Sequence, residues 1–202
     1  MSTVRCDVRL CTVLSGAILA VCSGNVLADD RPFELLAASD AVRVFEDGHG
    51  WADGEAAELR VFGLQKEILS AQCAVRAHVD LENLTVSVGP LRQEGGAAVI
   101  AEKQLQWRFV ESILIEENTP KLRKADLTRP APARFPDCLV EDRLTSLPKD
   151  GFKAIYLTIR VPADAQPGEY RGEVTVSAGE RKESLPLVVE VYPLVLPDDR
   201  NL

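Results

Sequence analysis

The feature that most constrains the fold is an alternation of apolar and polar side chains along much of the chain. It is clearest in residues 68–78, where every odd-numbered residue is apolar and most even-numbered residues are polar. Successive side chains of a β-strand point to opposite faces, so this pattern is typical of a half-buried strand. We therefore expect Cys73 to point into a core, and Gln72, Arg76 and His78 to lie on a wet face.

The same alternation recurs in residues 170–176 and 185–191, on either side of a glycine-containing turn at 179–182. This arrangement predicts a β-hairpin. Antiparallel strands with one wet face must bury the other face against a second sheet. Eight or nine such strands predict an all-β fold, a two-sheet antiparallel β-sandwich of immunoglobulin or fibronectin type. The other predicted strands are 42–45, 58–62, 84–88, 98–101, 104–115 and 154–161.

Two segments lack the alternation. Residues 33–38 form the one stretch that could be helical, and we expect a loose lead-in there. Residues 116–151 hold five prolines, and because proline cannot donate to a β-ladder we expect one long crossing loop. The predicted anchors of this loop are Phe135, Leu139, Val140 and Leu144. The predicted organisation is a signal peptide (1–28), a lead-in (29–39), the sandwich (40–198) and a tail (199–202).

The first residues have the pattern of an export signal. Arg5 and Arg9 precede an apolar run that ends near Cys22, and Ala28 supplies a small residue before the expected cleavage site. The run is too short to cross about 30 Å of hydrocarbon, so we expect no membrane span and a periplasmic or extracellular protein. The alternative is a lipoprotein anchored at Cys22, although Val21 is unusual for that cleavage box.

The charge of the chain disfavours anionic partners. Cleavage after Ala28 would move the formal charge from −8 to −9, and the longest basic cluster is Lys121, Arg123 and Lys124. Neither nucleic acid nor an anionic membrane surface is therefore an expected partner. With only His49 and His78 in the whole chain, we predict no zinc-type metal site, and no cofactor motif is present.

Cysteine usage leaves two interpretations. Three of the five cysteines belong to the predicted signal, so Cys73 and Cys138 remain in the mature chain. An oxidising compartment permits a disulfide between them, but spacing in the sequence does not show that they meet. Two buried free thiols are the favoured alternative.

A proline-glycine turn is the most informative local motif. Pro167 presets its own φ and Gly168 tolerates a positive φ, so residues 166–169 suit a type II turn that starts a strand. Tyr170 is then expected to bury its ring and to find a hydrogen-bond partner for its hydroxyl. Gly172 is expected to relieve packing against a neighbour or to mark a bulge.

The order of several segments carries a family resemblance. Glu-Leu-Arg-Val-Phe at 58–62 is followed by the strand at 66–72, by Asp-Leu-Glu-Asn-Leu at 80–84, by Phe-Pro-Asp-Cys-Leu at 135–139, by the proline-glycine turn, and by Val-Tyr-Pro-Leu-Val-Leu-Pro at 191–197. Over residues 40–198 this order resembles the N-terminal domain of glycoside hydrolase family 123. Lys66 and Cys138 depart from the residues that are usual in that family.

The resemblance implies an accessory domain rather than an enzyme. In that family a sandwich precedes a (β/α)-barrel that hydrolyses terminal N-acetylgalactosaminides with an adjacent Asp-Glu pair and the acetamido group of the substrate. No Asp-Glu dipeptide occurs in this sequence, and Glu141 and Asp142 stand in the reverse order. The expected partner is a catalytic barrel domain or another protein surface. The alternatives are a fragment of an active enzyme whose barrel is on a longer product or another chain, and a stand-alone module that binds glycans or a cell surface.

Two tryptophans are the candidate glycan contacts. Trp51 follows Glu46, Asp47 and His49 in a segment with two glycines, for which we favour a tight turn whose indole caps the core edge. Trp107 alternates with polar neighbours on an apolar strand face, which favours a core position over a sugar-stacking one.

Overall fold

The computed structural model describes residues 31–51, 56–121 and 123–198. The predicted signal segment and the tail from residue 199 lie outside the described residues. Two 3₁₀ turns, Glu102–Gln104 and Lys124–Asp126, interrupt an otherwise all-β architecture. The strands are β1 (Phe33–Ala38), β2 (Leu59–Gln65), β3 (Ile68–Ala77), β4 (Leu81–Val88), β5 (Leu91–Gln93), β6 (Val99–Ile100), β7 (Leu105–Ile115), β8 (Ala133–Val140), β9 (Thr145–Leu147), β10 (Phe152–Arg160), β11 (Gly168–Ala178) and β12 (Arg181–Val195).

These strands form two sheets that pack face to face. One sheet has the order β1-β3-β10-β7-β8, and the other has the order β2-β12-β11-β4-β9, with β5 beside β11 and β6 beside β5. The predicted inward residues of β3 fill the space between the sheets, and Cys73 is fully buried there. Phe109, Ile155, Val174 and Leu187 are equally buried and join the same core. The all-β sandwich prediction is confirmed.

The predicted hairpin is also confirmed. Strands β11 and β12 pair from Gly168 opposite Val191 to Ala178 opposite Arg181, which leaves a two-residue turn. Gly179 has a φ of +60°, whereas the φ of Glu180 is not positive. This combination is that of a type II′ turn, whose twist suits a two-residue hairpin.

One strand pair departs from the antiparallel prediction. Strand β2 lies parallel to β12, with Leu59 opposite Leu187 and Val61 opposite Val189. A short turn at residues 66–67 carries the chain from β2 directly into β3 of the other sheet, so β2 has no hairpin partner in its own sheet. It pairs instead with the last strand, which runs in the same direction.

Residues 33–38 are neither a helix nor a loose lead-in. They form β1, which pairs along its whole length with β3 and buries Phe33 and Ala37 in the main core. Leu36 and Ala38 pack on the other face of the sheet, so β1 is apolar on both sides. That is why alternation failed to reveal it. The sandwich therefore begins at Phe33 rather than at residue 40.

The segment 42–45 is not a strand. It belongs to a loop that crosses the outer face of the five-stranded sheet, where Val44 packs with Ala74, Phe152 and Ala154 in a second apolar cluster. The prediction of a wet face there was wrong for Gln72, which is 5% exposed. Its side-chain amide donates hydrogen bonds to the carbonyls of Ser39 and Val42, both at 2.9 Å, and so ties the loop to the sheet.

The proline-rich connection holds more structure than a crossing loop. It contains β8 and β9, although Leu139 and Leu144 are exposed and do not anchor it. Strand β8 lies at the edge of its sheet, and its register shifts by one residue between Cys138 and Pro136. An edge strand with a bulge is where a ladder tolerates proline. The proline therefore did not exclude a strand.

Candidate interaction surfaces

The proline-glycine turn forms a structural corner. Gly168 has a φ of +135°, and the side-chain amide of Gln93 donates to the carbonyl of Pro167 at 3.0 Å. Tyr170 is 1% exposed, and its hydroxyl donates to the carbonyl of Gln166 at 2.7 Å. Burial of the ring raises the pKa of this phenol. The phenol is therefore held as a neutral hydrogen-bond donor that closes the corner.

Gly172 lies where a neighbouring strand approaches closely. A Cβ atom added there would lie 2.6 Å from Cδ2 of Leu91 and 3.3 Å from the carbonyl oxygen of Pro90. Leu91 is fully buried at the start of β5. The glycine allows β5 to continue the sheet beyond β4, and it presents no chemical group to solvent.

Cys73 and Cys138 are both free thiols. Cys73 lies on β3 in the core and Cys138 is exposed on β8, with β10 and β7 between those strands. Three strand spacings separate them by about 14 Å, about twice the separation that a disulfide can bridge. Burial raises the pKa of the Cys73 thiol to about 12, so this residue is an inert core side chain. The candidate disulfide is not formed.

Trp51 ends a tight turn. Gly48 and Gly50 each have a φ of +70°, and the Trp51 amide donates to the carbonyl of Gly48 at 3.0 Å. The indole lies 5.6 Å from the ring of Phe152 and packs against the cluster on the outer face of the five-stranded sheet. Trp51 therefore contacts the second apolar cluster.

Trp107 packs against the main core, on the other side of the same sheet. Its ring makes an edge contact with Phe109 at 5.3 Å, and the guanidinium of Arg143 lies 4.6 Å above it. The indole borders a cleft of about 590 Å³, with Ser87 of β4 and Gln106 of β7. Because Arg143 covers one ring face and Trp51 is on the opposite side of the sheet, the two indoles form no common sugar platform.

Among the acidic residues noted in the sequence, Glu46, Asp47 and Glu141 each contact an arginine. Glu141 accepts from Arg108 at 3.0 Å, and Glu46 lies 3.4 Å from Arg134. Across the described ranges, no group of three or more His, Cys, Asp or Glu side chains is placed to hold a metal ion. Nor does that part of the chain contain a helix long and apolar enough to cross a membrane.

A network of charged side chains covers the middle of the outer face of the seven-stranded sheet. Arg60 contacts Glu58 at 2.9 Å and Glu169 at 2.7 Å, while Arg171 contacts Glu94 at 2.9 Å and also pairs with Glu169. The hydrogen bond from Arg60 holds the pKa of the Glu169 carboxyl below its ordinary value. These charges are satisfied within the domain.

The same face becomes apolar at the end of β2 and β12. We define the β2–β12 apolar patch as Phe62, Tyr192 and Leu194, which are 67%, 38% and 62% exposed. The rings of Phe62 and Tyr192 meet at 5.9 Å in an edge contact. A register shift between Tyr192 and Val195 leaves Leu194 without a partner on β2.

No pattern in the sequence indicates that these residues share one surface. Phe62 falls in the predicted strand 58–62, and residues 191–197 carry only part of the family resemblance. A signal was nevertheless present, because Leu194 and Val195 are consecutive apolar residues that break the alternation of β12. Such a break at a strand end marks a bulge or an outward apolar side chain.

A family model and a solved structure match most of this chain. A family model described as the glycoside hydrolase 123 N-terminal domain matches residues 52–178. A family 123 glycoside hydrolase from Clostridium perfringens, studied for glycolipid glycan hydrolysis, superimposes with a TM-score of 0.70 at 17% identity, over 83% of this chain and 28% of that one. The CooA pilin subunit of enterotoxigenic Escherichia coli aligns over 81% of this chain and all of its own, at a TM-score of 0.37 and 9% identity. A search of curated proteins found no match.

The structural match covers only part of the Clostridium perfringens enzyme. This chain spans 28% of that enzyme, so most of the enzyme lies outside the alignment. At 17% identity the structural match shows the fold alone. The family model, in contrast, covers more than half of the sequence. This chain therefore belongs to the glycoside hydrolase 123 N-terminal domain family.

Proposed function

We propose that this chain is a non-catalytic accessory sandwich of an exported, carbohydrate-active protein, and that it supports a family 123 catalytic domain. The observation that carries the proposal is the match of residues 52–178 to the N-terminal domain model of that family. The absence of an Asp-Glu dipeptide from the sequence supports it further. The aligned part of the Clostridium perfringens enzyme is likewise a minor part of a longer chain.

The chemistry of the described side chains is consistent with a supporting role. Glycoside hydrolysis needs two carboxyl groups that face one substrate, either across about 5–10 Å or, with acetamido participation, as neighbours. Here Glu58, Glu94 and Glu169 share their charge with Arg60 and Arg171 on a solvated sheet face. The hydrogen bond from Arg60 lowers the pKa of the Glu169 carboxyl, which favours its ionised form and makes it a poor general acid.

The direct test is an assay of the purified, folded mature chain with an aryl N-acetyl-galactosaminide. We expect no turnover above the buffer blank at any protein concentration that remains soluble. Turnover that co-purifies with the chain and scales with its concentration would overturn the proposal. A family 123 enzyme assayed in parallel serves as the positive control.

Export is a separate part of the proposal. It is supported by the order of basic, apolar and small residues before Asp29. The intact mass of the secreted or periplasmic product tests it, because cleavage after Ala28 and lipidation at Cys22 give different N-termini. A product that stays in the cytoplasm and begins at residue 1 or 2 would refute export.

A further inference from the structure

The β2–β12 apolar patch resembles the centre of a protein interface. Phe62 and Leu194 are each more than 60% exposed, and the aromatic ring of Tyr192 lies beside that of Phe62. Aromatic and aliphatic anchors at the centre of an interface, with paired charges at its rim, are the usual anatomy of a docking surface. The rim here is the Arg60–Glu169 network on one side and the Lys66–Asp198 pair near the β2–β3 turn.

The strand that carries Phe62 adds a second reason for a partner. Strand β2 is the last strand of its sheet and pairs only with β12. An edge strand with outward apolar side chains is a template for association unless something covers it. The register shift at the end of β12 also displays Leu194 instead of burying it against β2. Both features favour contact between this surface and another protein domain.

The path of the backbone beyond β12 argues for one kind of occupant. The Leu196 amide donates to the carbonyl of Gln65 at 2.9 Å, and the Lys66 ammonium pairs with Asp198. Residues 196–198 are therefore held next to the end of β2. A domain joined after residue 198 would start beside the patch, at a high effective concentration. In this family the sandwich is the N-terminal domain, so the other part of a full-length family member follows it along the chain.

We infer that the β2–β12 apolar patch is the docking surface for the family 123 catalytic domain. The inference rests on the proposed function, and it names the face and the side chains that carry the contact. Phe62 and Leu194 are the anchors, Tyr192 supports Phe62, and the charged network forms the solvated rim. A second copy of this chain would not be tethered next to this face, so it would lack the high effective concentration of a domain joined after residue 198.

The test combines the purified mature chain with the family 123 catalytic domain that its own source encodes, in the same reading frame or in a separate gene. Binding is measured by titration calorimetry, and the contact face by hydrogen–deuterium exchange. We expect slower exchange at residues 61–65 and 190–196 in the complex. Phe62→Asp and Leu194→Asp should each weaken binding at least ten-fold, because a carboxylate would be buried among apolar groups.

Leu114→Asp is the matched control. Leu114 is 55% exposed on β7 of the other sheet, so this change should alter the dissociation constant less than two-fold. Thermal unfolding of every variant shows whether the fold is intact. Binding that survives both patch changes would overturn the assigned face and leave the proposed function standing, whatever the control shows.

Two other outcomes distinguish failure of the proposed function from failure of the docking inference alone. If the chain and the catalytic domain do not associate at all, or if the source encodes no such domain, the proposed function fails together with the inference. If the chain forms a dimer through Phe62 and Leu194 that persists in the presence of the catalytic domain, the occupant is a second copy and the inference is overturned. Analytical sedimentation with and without the catalytic domain distinguishes these cases.

Discussion

Lys153 and Glu111 form an ion pair across β10 and β7, with the Lys153 Nζ 2.7 Å from the Glu111 Oε1. The two partners differ in exposure, because the lysine side chain is 7% exposed and the glutamate is 36% exposed. Removal of one partner therefore has unequal consequences. A lysine left alone keeps a buried charge without its counter-ion, whereas a glutamate left alone can still reach water.

This asymmetry gives the first prediction. Glu111→Gln should lower the free energy of unfolding by about 2–3 kcal/mol, because it leaves a buried ammonium without its counter-ion. Lys153→Met keeps the apolar stem and should cost about 1 kcal/mol or less. Urea denaturation followed by fluorescence measures both. Equal losses, or a larger loss for Lys153→Met, would contradict the assigned burial.

The second prediction concerns the loop that covers the five-stranded sheet. Gln72→Leu removes the two amide hydrogen bonds to Ser39 and Val42 and leaves both carbonyls without that donor. We expect a loss of about 2 kcal/mol in unfolding free energy and faster hydrogen exchange in residues 39–45. Gln106→Leu, an exposed glutamine on β7, is the control and should change stability by about 0.5 kcal/mol at most. Unchanged exchange in the loop would refute this role of Gln72.

The third prediction is a dependence on pH. Asp47 accepts two hydrogen bonds from the Arg129 guanidinium, at 2.9 and 2.5 Å, and these bonds hold the pKa of its carboxyl below the ordinary value. A carboxyl with a depressed folded-state pKa contributes stability above its unfolded pKa of about 4 and loses it as the pH falls through the folded value.

The melting temperatures of the wild type and Asp47→Asn should therefore differ at pH 7 and converge as the pH falls from about 5 towards 2. The effect is small because the Asp47 side chain is 55% exposed and solvent screens the pair. Asp126→Asn, which breaks an exposed local pair with Arg123, controls for charge removal alone. A melting-temperature difference that grows as the pH falls would contradict the stabilising role assigned to the Asp47–Arg129 pair.

The fourth prediction compares two glycines. Gly172→Ala would place a methyl group 2.6 Å from Leu91, so the fully buried leucine must move, at a cost of about 1–3 kcal/mol. Gly89→Ala meets nothing within 4 Å and should be neutral or slightly stabilising, since alanine restricts the unfolded chain. Thermal denaturation of the two variants is the measurement. Similar melting temperatures would show that the approach of β5 is not tight.

The fold could be predicted from the sequence wherever one face of a strand is wet. Alternation predicts strands β3 and β11 and residues 185–191 of β12, where it continues along the segment. The sequence pattern mispredicts strand β1 and the irregular segment 42–45, because these two segments cover each other's apolar residues on the outer face of the sheet. Alternation reports one buried face and says nothing where both faces are covered. The bulge that places Pro136 in β8 is a tertiary feature with no local pattern.

The candidate surface was harder to predict than the fold. Phe62 and Leu194 lie 132 positions apart in the sequence, and only the parallel pairing of β2 with β12 brings their ends together. A sequence that predicts antiparallel hairpins offers no reason to expect that pair. The corner at Tyr170 could be anticipated because its turn, ring and hydroxyl partner are local.

The measurement that tests the central claim most directly is the inactivation half-life of the family 123 catalytic domain from the same source, with and without this chain. A supporting domain that binds the native catalytic domain stabilises it by mass action. We predict that a saturating amount of the chain lengthens the half-life at least several-fold without adding activity of its own. An unchanged half-life in the presence of the folded chain would contradict an accessory role.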